Sequence, residues 1–258
     1  MPKEKIRLDE LLVILGYTES LKKAESLILS GSVFVDNKKI TKSGIKFSKD
    51  INISIKNVIH EYASRGAYKL LPIIEKFNIN IKDRFCIDMG ASTGGFTDVL
   101  LRKGAFNVLA IDVGYGQMIE RLRNDERVRV LDRFHAKDLS WDYLLKGANY
   151  LIVMDLSFIS LLSIYPYLIQ LCRINRDTEF EILSLIKPQF ECNPLKLQKG
   201  VLKDQNEKFR VIKKIIKYIK KENCMTMHLA ESPVKGMEGN TEYFIHWKIP
   251  ASESSNNS

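Results

Sequence analysis

Residues 85–101 read Phe-Cys-Ile-Asp-Met-Gly-Ala-Ser-Thr-Gly-Gly-Phe-Thr-Asp-Val-Leu-Leu, a strand that ends in a small-residue turn and opens into a helix. Asp112 closes the next apolar strand, in Ala110-Ile-Asp-Val-Gly-Tyr115, 22 residues beyond Gly90. Together they make a βαβ unit with a glycine-rich crossover. Glycine and other small residues let a ligand approach the backbone closely at such a turn. The free N–H groups at the helix start favour negative or polar ligand groups. An acid at the end of the following strand accepts hydrogen bonds from ribose hydroxyls. The segment therefore predicts a nucleotide-like ligand on an α/β sheet, although the same turn could serve packing alone.

The spacing excludes two common ligands. The dinucleotide fingerprint is G-x-G-x-x-G, whereas this chain has Gly90-x-x-x-Gly94-Gly95. No G-K-[S/T] follows, so the turn is not the phosphate cradle of an NTPase. Asp88, two residues before Gly90, suits a cationic ligand end better than a pyrophosphate. S-adenosylmethionine has such an end, with an amino group and a sulfonium.

From residue 64 the chain alternates helices with strand candidates at Arg84–Met89, Val108–Asp112, Val128–Leu131, Leu151–Asp155, Glu181–Ile186, Thr226–Ala230 and Thr241–Trp247. That alternation predicts a doubly wound, Rossmann-like α/β sheet over residues 64–250. The short Gly- and Pro-bearing link between the last two strands predicts an antiparallel hairpin at the sheet's end. Residues 1–60 differ. Arg7–Leu15 and Ser20–Ser30 have apolar positions at helical spacing, closed by Gly16 and by Gly31 as a C-cap. Ser32-Val-Phe-Val35 then turns at Asp36-Asn37 into Lys38–Thr41. This is a small α+β module of helix, helix and hairpin. The polar stretch 251–258 reads as a disordered tail.

Charge supports this division. The 258 residues carry 40 Lys and Arg against 31 Asp and Glu, a net +9. Residues 1–60 hold 11 basic and 7 acidic residues, so +4 falls on that segment and +5 on the rest. Positive charge is denser on the small module, which favours a polyanion partner. Cys86, Cys172, Cys192 and Cys224 are far apart, with no C-x-x-C and no nearby histidine pairs, so no metal is expected. The pattern fits a reducing cytosol. The N-terminus shows no secretory signal, and a cytoplasmic location is expected. Tyr150–Cys172 is the one stretch apolar enough to suggest a membrane span. Asp155 and Pro166 interrupt it. It reads instead as a buried strand followed by a helix over Ser157–Cys172, with no stable membrane insertion.

Four polar residues stand out. Lys69 enters the large domain, Asp155 and Lys187 end apolar strands, and Glu242 begins the last strand. Ligand crevices in open α/β sheets lie outside the carboxyl ends of the strands. An antiparallel last strand would bring Glu242 to the same edge. Methyl transfer to a hydroxyl needs a base close to the oxygen, and a partly buried lysine beside another cation can serve. Each residue alone could be only a surface ion pair or a cap.

Six blocks in order resemble the TlyA group, which joins an S4 RNA-binding domain to an FtsJ-like ribosomal RNA 2′-O-methyltransferase. They are Ser64-Arg-Gly-Ala-Tyr-Lys-Leu70, Asp88-Met-Gly-Ala-Ser-Thr-Gly-Gly-Phe-Thr-Asp98, Asp112-Val-Gly-Tyr-Gly-Gln117, Asp155-Leu-Ser-Phe-Ile-Ser160, Lys187-Pro-Gln-Phe-Glu191 and Gly239-Asn-Thr-Glu-Tyr243. The resemblance implies methylation of cytidine in 16S rRNA, 23S rRNA or both, with ribosomal RNA or ribosomal subunits as partner. It places a Lys-Asp-Lys-Glu tetrad on Lys69, Asp155, Lys187 and Glu242. S-adenosylmethionine would meet Asp88, Gly90, Ala91, Ser92, Gly94, Gly95, Phe96, Asp112, Val113 and Asp155. RNA would meet Arg7, Lys22, Lys23 and Arg65. Two departures stand out. Leu21 occupies a place in the second helix where the S4 pattern often has a basic residue. Arg133-Phe-His135 stands where Arg-Thr-Asn is common, and His135 is expected to pack under a loop, with contact to cofactor or RNA as the alternative. The family's haemolysin label supplies a rival reading, a membrane-active protein using Tyr150–Cys172 and the amphipathic helix Phe209–Lys221. A catalytically silent RNA-binding protein is another. The oligomeric state is left open.

Overall fold

The computed structural model describes residues 5–29, 31–55, 62–174 and 178–249. The chain divides into two compact units, Met1–Glu61 and Tyr62–Ser258. The predicted tail at 251–258 lies outside the described residues.

In the first unit, β1 (Ile6–Arg7) leads into α1 (Leu8–Ile14), followed by α2 (Leu21–Leu29). Leu8, Leu11 and Leu12 of α1 meet Ala24 and Ile28 of α2, and all five are fully buried. Ser20 opens α2 by accepting from the Lys23 N–H, and Gly31 closes it at a φ of +74°. The hairpin of β2 (Val33–Val35) and β3 (Lys38–Lys39) turns through Asp36 and Asn37, both at positive φ. Asp and Asn tolerate that conformation, which matches the twist of a two-residue hairpin. Two pairings were not foreseen. β4 (Lys46–Phe47) pairs with β1, and β5 (Ile53–Ile55) adds a third strand beside β2.

The second unit opens with α3 (Ala67–Lys76) and continues through β6 (Phe85–Met89), α4 (Gly95–Arg102), β7 (Asn107–Asp112), α5 (Glu120–Arg123) and β8 (Val128–Asp132). Next come β9 (Tyr150–Met154), α6 (Leu161–Ile174), β10 (Phe180–Ile186), α7 (Pro188–Glu191), α8 (Gln205–Lys221), β11 (Met225–Glu231) and β12 (Tyr243–Ile249). Seven strands form one sheet in the order β11-β12-β10-β9-β6-β7-β8. β12 is the reversed strand, antiparallel to β10 and to β11, and it sits one place in from the edge. The central strands β9 and β10 are buried on both faces, which explains their continuous apolar runs. Tyr150, Ile152 and Met154 of β9 pack with α6 and α8, while Leu151 and Val153 pack on the side of α3 and α4.

α6 begins four residues later than the sequence suggested, and Pro166 lies inside it. The apolar face of α8, Val211, Ile212, Ile215 and Ile219, is buried in the core rather than turned to a membrane surface, with Phe209 half exposed. Among the described residues, no helix is long and apolar enough to cross a membrane.

A buried polar network ties the strands together at the end opposite their carboxyl termini. Arg84 donates to Glu181 at 2.5 Å and to the Tyr150 carbonyl at 2.7 Å, and the His246 ring contacts Glu181 at 2.5 Å. Burial pushes the Glu181 carboxyl up, but His246 and Arg84 outweigh it and hold the group down at about 2 instead of 4.5. A depressed carboxylate stabilises the fold above its unfolded value, and that contribution disappears as pH falls through the folded one. Denaturation midpoints are therefore expected to drop between pH 4.5 and about 2. Glu181→Gln should flatten that slope in a urea titration repeated across the window.

Candidate active site

Gly90 follows β6 at a φ of +87°, and a Cβ there would lie 2.6 Å from the Asp155 carbonyl oxygen. Glycine is thus required where the end of β6 touches the end of β9. Gly95 opens α4 for a different reason, since a Cβ there would collide with Ser64 Oγ ahead of α3. Asp112, at the end of β7, accepts from the Ser92 N–H at 2.8 Å and from the Gly114 N–H at 2.7 Å. A carboxylate offers about four acceptor positions, so it retains capacity for a ligand.

A cavity of about 540 Å³ opens beside these strand ends. That is within the range of about 300–1,000 Å³ usual for small-molecule sites. Gly90, Ser92, Asp112, Val113 and Asp155 line it, all of them named from the sequence. Asp88, Ala91, Gly94, Gly95 and Phe96 are not among its lining residues. Strand periodicity accounts for Asp88: it shares a sheet face with Cys86, toward α4, where Thr97 donates to its Oδ2 at 2.7 Å. Asp88 is fully buried, its Oδ1 has no hydrogen-bond partner among the described residues, and burial pushes its carboxyl up to about 7.

The four residues of the predicted tetrad resolve into two ion pairs. Lys187, just beyond β10, meets Asp155, just beyond β9, at 2.7 Å, and donates to Ser157 Oγ at 2.6 Å. Lys69, in the first turn of α3, meets Glu242 at 2.8 Å. Sheet register places Glu242 beside Lys187, because Ile186 pairs with Tyr243. Glu242 and Lys187 are 2% and 8% exposed, too little to read as surface pairs. Asp155 and Ser157 also line the cavity, so the Lys187 pair borders it directly.

Other residues enter that sequence reasoning missed or misplaced. His135 is exposed and lines the cavity with Lys137, a correction to the expectation that it packs under a loop. It leaves β8 past Arg133, whose φ is +55°, and the Phe134 N–H bonds the Asp112 carbonyl. That bond turns the segment toward the cavity. Phe158 is 82% exposed at a φ of +62°, lines the cavity, and lies 5.1 Å from the Phe190 ring. An aromatic residue in Leu156-Ser-Phe-Ile-Ser160, just beyond the strand that Asp155 closes, was the available signal. Of the residues named for RNA, Lys22 and Arg65 are exposed, Arg7 pairs with Asp9 and Lys23 with Glu19.

A seven-stranded sheet with one reversed strand next to its edge, a glycine turn on a central strand and an acid ending the next strand define a Rossmann-like methyltransferase. The family model for FtsJ-like methyltransferases matches residues 62–249, and that for the S4 domain matches residues 6–49. The chain belongs to the FtsJ-like methyltransferase family and, with its S4 domain, to the TlyA group. It is 39% identical over 245 residues to Hemolysin A of Brachyspira hyodysenteriae, covering 95% of this chain and 100% of that one. It is 38% identical over 241 residues to the 16S/23S rRNA (cytidine-2′-O)-methyltransferase TlyA of Mycobacterium tuberculosis, covering 93% and 88%. The fold also matches a solved Streptococcus thermophilus structure that carries a hemolysin label. Its TM-score is 0.71 and its identity 30%, with coverage of 95% of this chain and 89% of that one.

Proposed function

We propose that the chain transfers a methyl group from S-adenosylmethionine to a ribose 2′-hydroxyl of ribosomal RNA, on cytidine in 16S rRNA, 23S rRNA or both. The observation that carries this reading is the pair of partly buried lysine–carboxylate contacts, Lys187–Asp155 and Lys69–Glu242, at the sheet edge that borders the cavity. When bound, S-adenosylmethionine supplies an electrophilic methyl group. The donor set fits it. Asp112 retains acceptor capacity for ribose hydroxyls and Gly90 keeps the turn open to a close ligand, while Asp88, buried toward α4, supports the turn from behind. Ser92 and Val113 line the pocket, and Ala91, Gly94, Gly95 and Phe96 shape the turn and helix behind it.

Lys187 is the base. Its Nζ, as the neutral amine, takes the proton of the 2′-hydroxyl and becomes the ammonium, which Asp155 and Ser157 hold in place. Lys69, held by Glu242, orients the target. The S4 domain binds structured RNA by phosphate and shape contacts, with Arg7, Lys22 and Lys23, and Arg65 contributes from the second unit. A cytoplasmic location follows from a ribosomal substrate.

The test is transfer of labelled methyl from S-adenosylmethionine to purified ribosomal subunits. Label recovered in alkali-resistant dinucleotides is expected, because a 2′-O-methyl group blocks cleavage of the adjacent linkage. Label absent from RNA, with liposome leakage at low protein concentration, would favour the membrane-active reading. Failure to bind S-adenosylmethionine in calorimetry would favour a catalytically silent RNA-binding protein.

A further inference from the structure

Two segments leave the sheet side by side. Residues 155–161 follow β9, and residues 187–191 follow β10. They are joined by three contacts of different chemistry: Lys187 with Asp155 and Ser157, the Phe190 ring with Phe158, and Glu191 with Ser160 and Leu161. The last has no role in the proposed reaction. One Glu191 oxygen accepts from Ser160 Oγ at 2.5 Å, and the other from the Leu161 N–H at 2.6 Å. Leu161 is the first residue of α6, so a carboxylate from 30 positions away caps that helix. Ser160 Oγ in turn accepts from the Leu162 N–H at 3.2 Å, and the Ser160 carbonyl accepts from Ser163 Oγ at 2.7 Å.

This cap explains why α6 starts at Leu161 rather than at Ser157. The residues between Asp155 and Ser160 are thereby left as an open loop, which brings Ser157 to Lys187 and exposes Phe158. α7 is only four residues long and cannot hold its own position. Lys187 immediately precedes it, so the far end of α7 needs an external anchor.

We propose that Glu191 is a positioning residue, whose carboxylate clamps the segment bearing Lys187 to the loop bearing Asp155 and Ser157. This rests on the reading of Lys187 as the base. Glu191 touches neither donor nor RNA in this account and acts by fixing the distance between the two segments.

The experiment compares the full chain with Glu191→Ala, Glu191→Gln and Ser160→Ala. It measures kcat, KM for RNA and for S-adenosylmethionine, and amide hydrogen exchange across residues 156–163. Glu191→Ala is expected to lower kcat by about tenfold to a hundredfold, since small misplacements of a reacting group cost that much. Both KM values should stay within about threefold, and exchange at Leu161 and Leu162 should quicken. Glutamine can still accept from the Leu161 N–H and can donate to Ser160 Oγ, so Glu191→Gln should stay within about threefold of wild type in kcat. Ser160→Ala removes one donor and should lower kcat by about twofold to fivefold. The proposal is overturned by unchanged kcat in Glu191→Ala, by a kcat loss without faster exchange, or by glutamine proving as damaging as alanine. Should Glu191→Ala fail to fold, unchanged kcat and exchange in Ser160→Ala overturn it instead. Exchange reads the clamp without RNA. A wild-type chain that methylated nothing would count against the proposed activity and leave the clamp to be judged by exchange alone.

Discussion

Lys187→Ala is expected to lower kcat for methyl transfer by about 10²–10⁴-fold, the usual share of a general base. KM for S-adenosylmethionine should change little, because Lys187 is not among the residues lining the cavity. Alanine also strands Asp155, which is 18% exposed at its side chain, so part of any loss could come from a disturbed loop. Lys187→Arg separates the two effects. Arginine can keep the pair with Asp155, but it stays protonated in proteins and cannot take a proton. The arginine variant should therefore melt close to wild type while being about as inactive as the alanine variant. Steady-state kinetics beside thermal melts decide this. A folded Lys187→Arg or Lys187→Ala protein with full methylation would sink the assignment.

Glu242→Ala is expected to cost about 3–5 kcal/mol of stability, the range for breaking a buried ion pair by removing one partner. The carboxylate is 2% exposed and packs so close to Gly236 that a Cβ there would strike it. Lys69 Nζ, 15% exposed at its side chain, would lose its ion-pair partner. The penalty comes chiefly from that stranded charge. Glu242→Ala/Lys69→Met, which removes both charges, should recover much of the loss, since replacing both partners is far less costly than removing one. Urea denaturation of the two single variants and the double variant closes the cycle. A double variant as unstable as the sum of the singles would show that the pair contributes little. Methylation should fall in every variant of this set, because Lys69 is no longer held beside the reacting edge.

The parts of this molecule legible in the sequence were those with local causes. The Gly90 turn and Asp112 could be read because close approach and hydrogen-bond acceptance need particular residues at particular spacings. The sheet could be read because strands buried on both faces are continuously apolar. The gathering of Asp155, Lys187 and Glu242 at one edge followed from strand direction alone. Which lysine pairs with which acid did not, because it depends on the register of Ile186 with Tyr243 and on where the first turn of α3 lies. The start of α6 was misjudged because its cap comes from Glu191, far along the chain. Asp88 shares the sheet face of Cys86, a consequence of alternation that its position near the turn concealed. The pairing of β1 with β4 was illegible because two-residue strands carry no period.

The central claim is that this chain methylates ribose hydroxyls of ribosomal RNA through Lys187. Its most direct test is a map of 2′-O-methyl positions on 16S and 23S rRNA from cells that have this protein, lack it, or carry only Lys187→Arg. The account predicts one or more cytidine positions methylated with the wild-type protein and unmodified both without it and with the arginine variant. Identical maps in all three strains would contradict it.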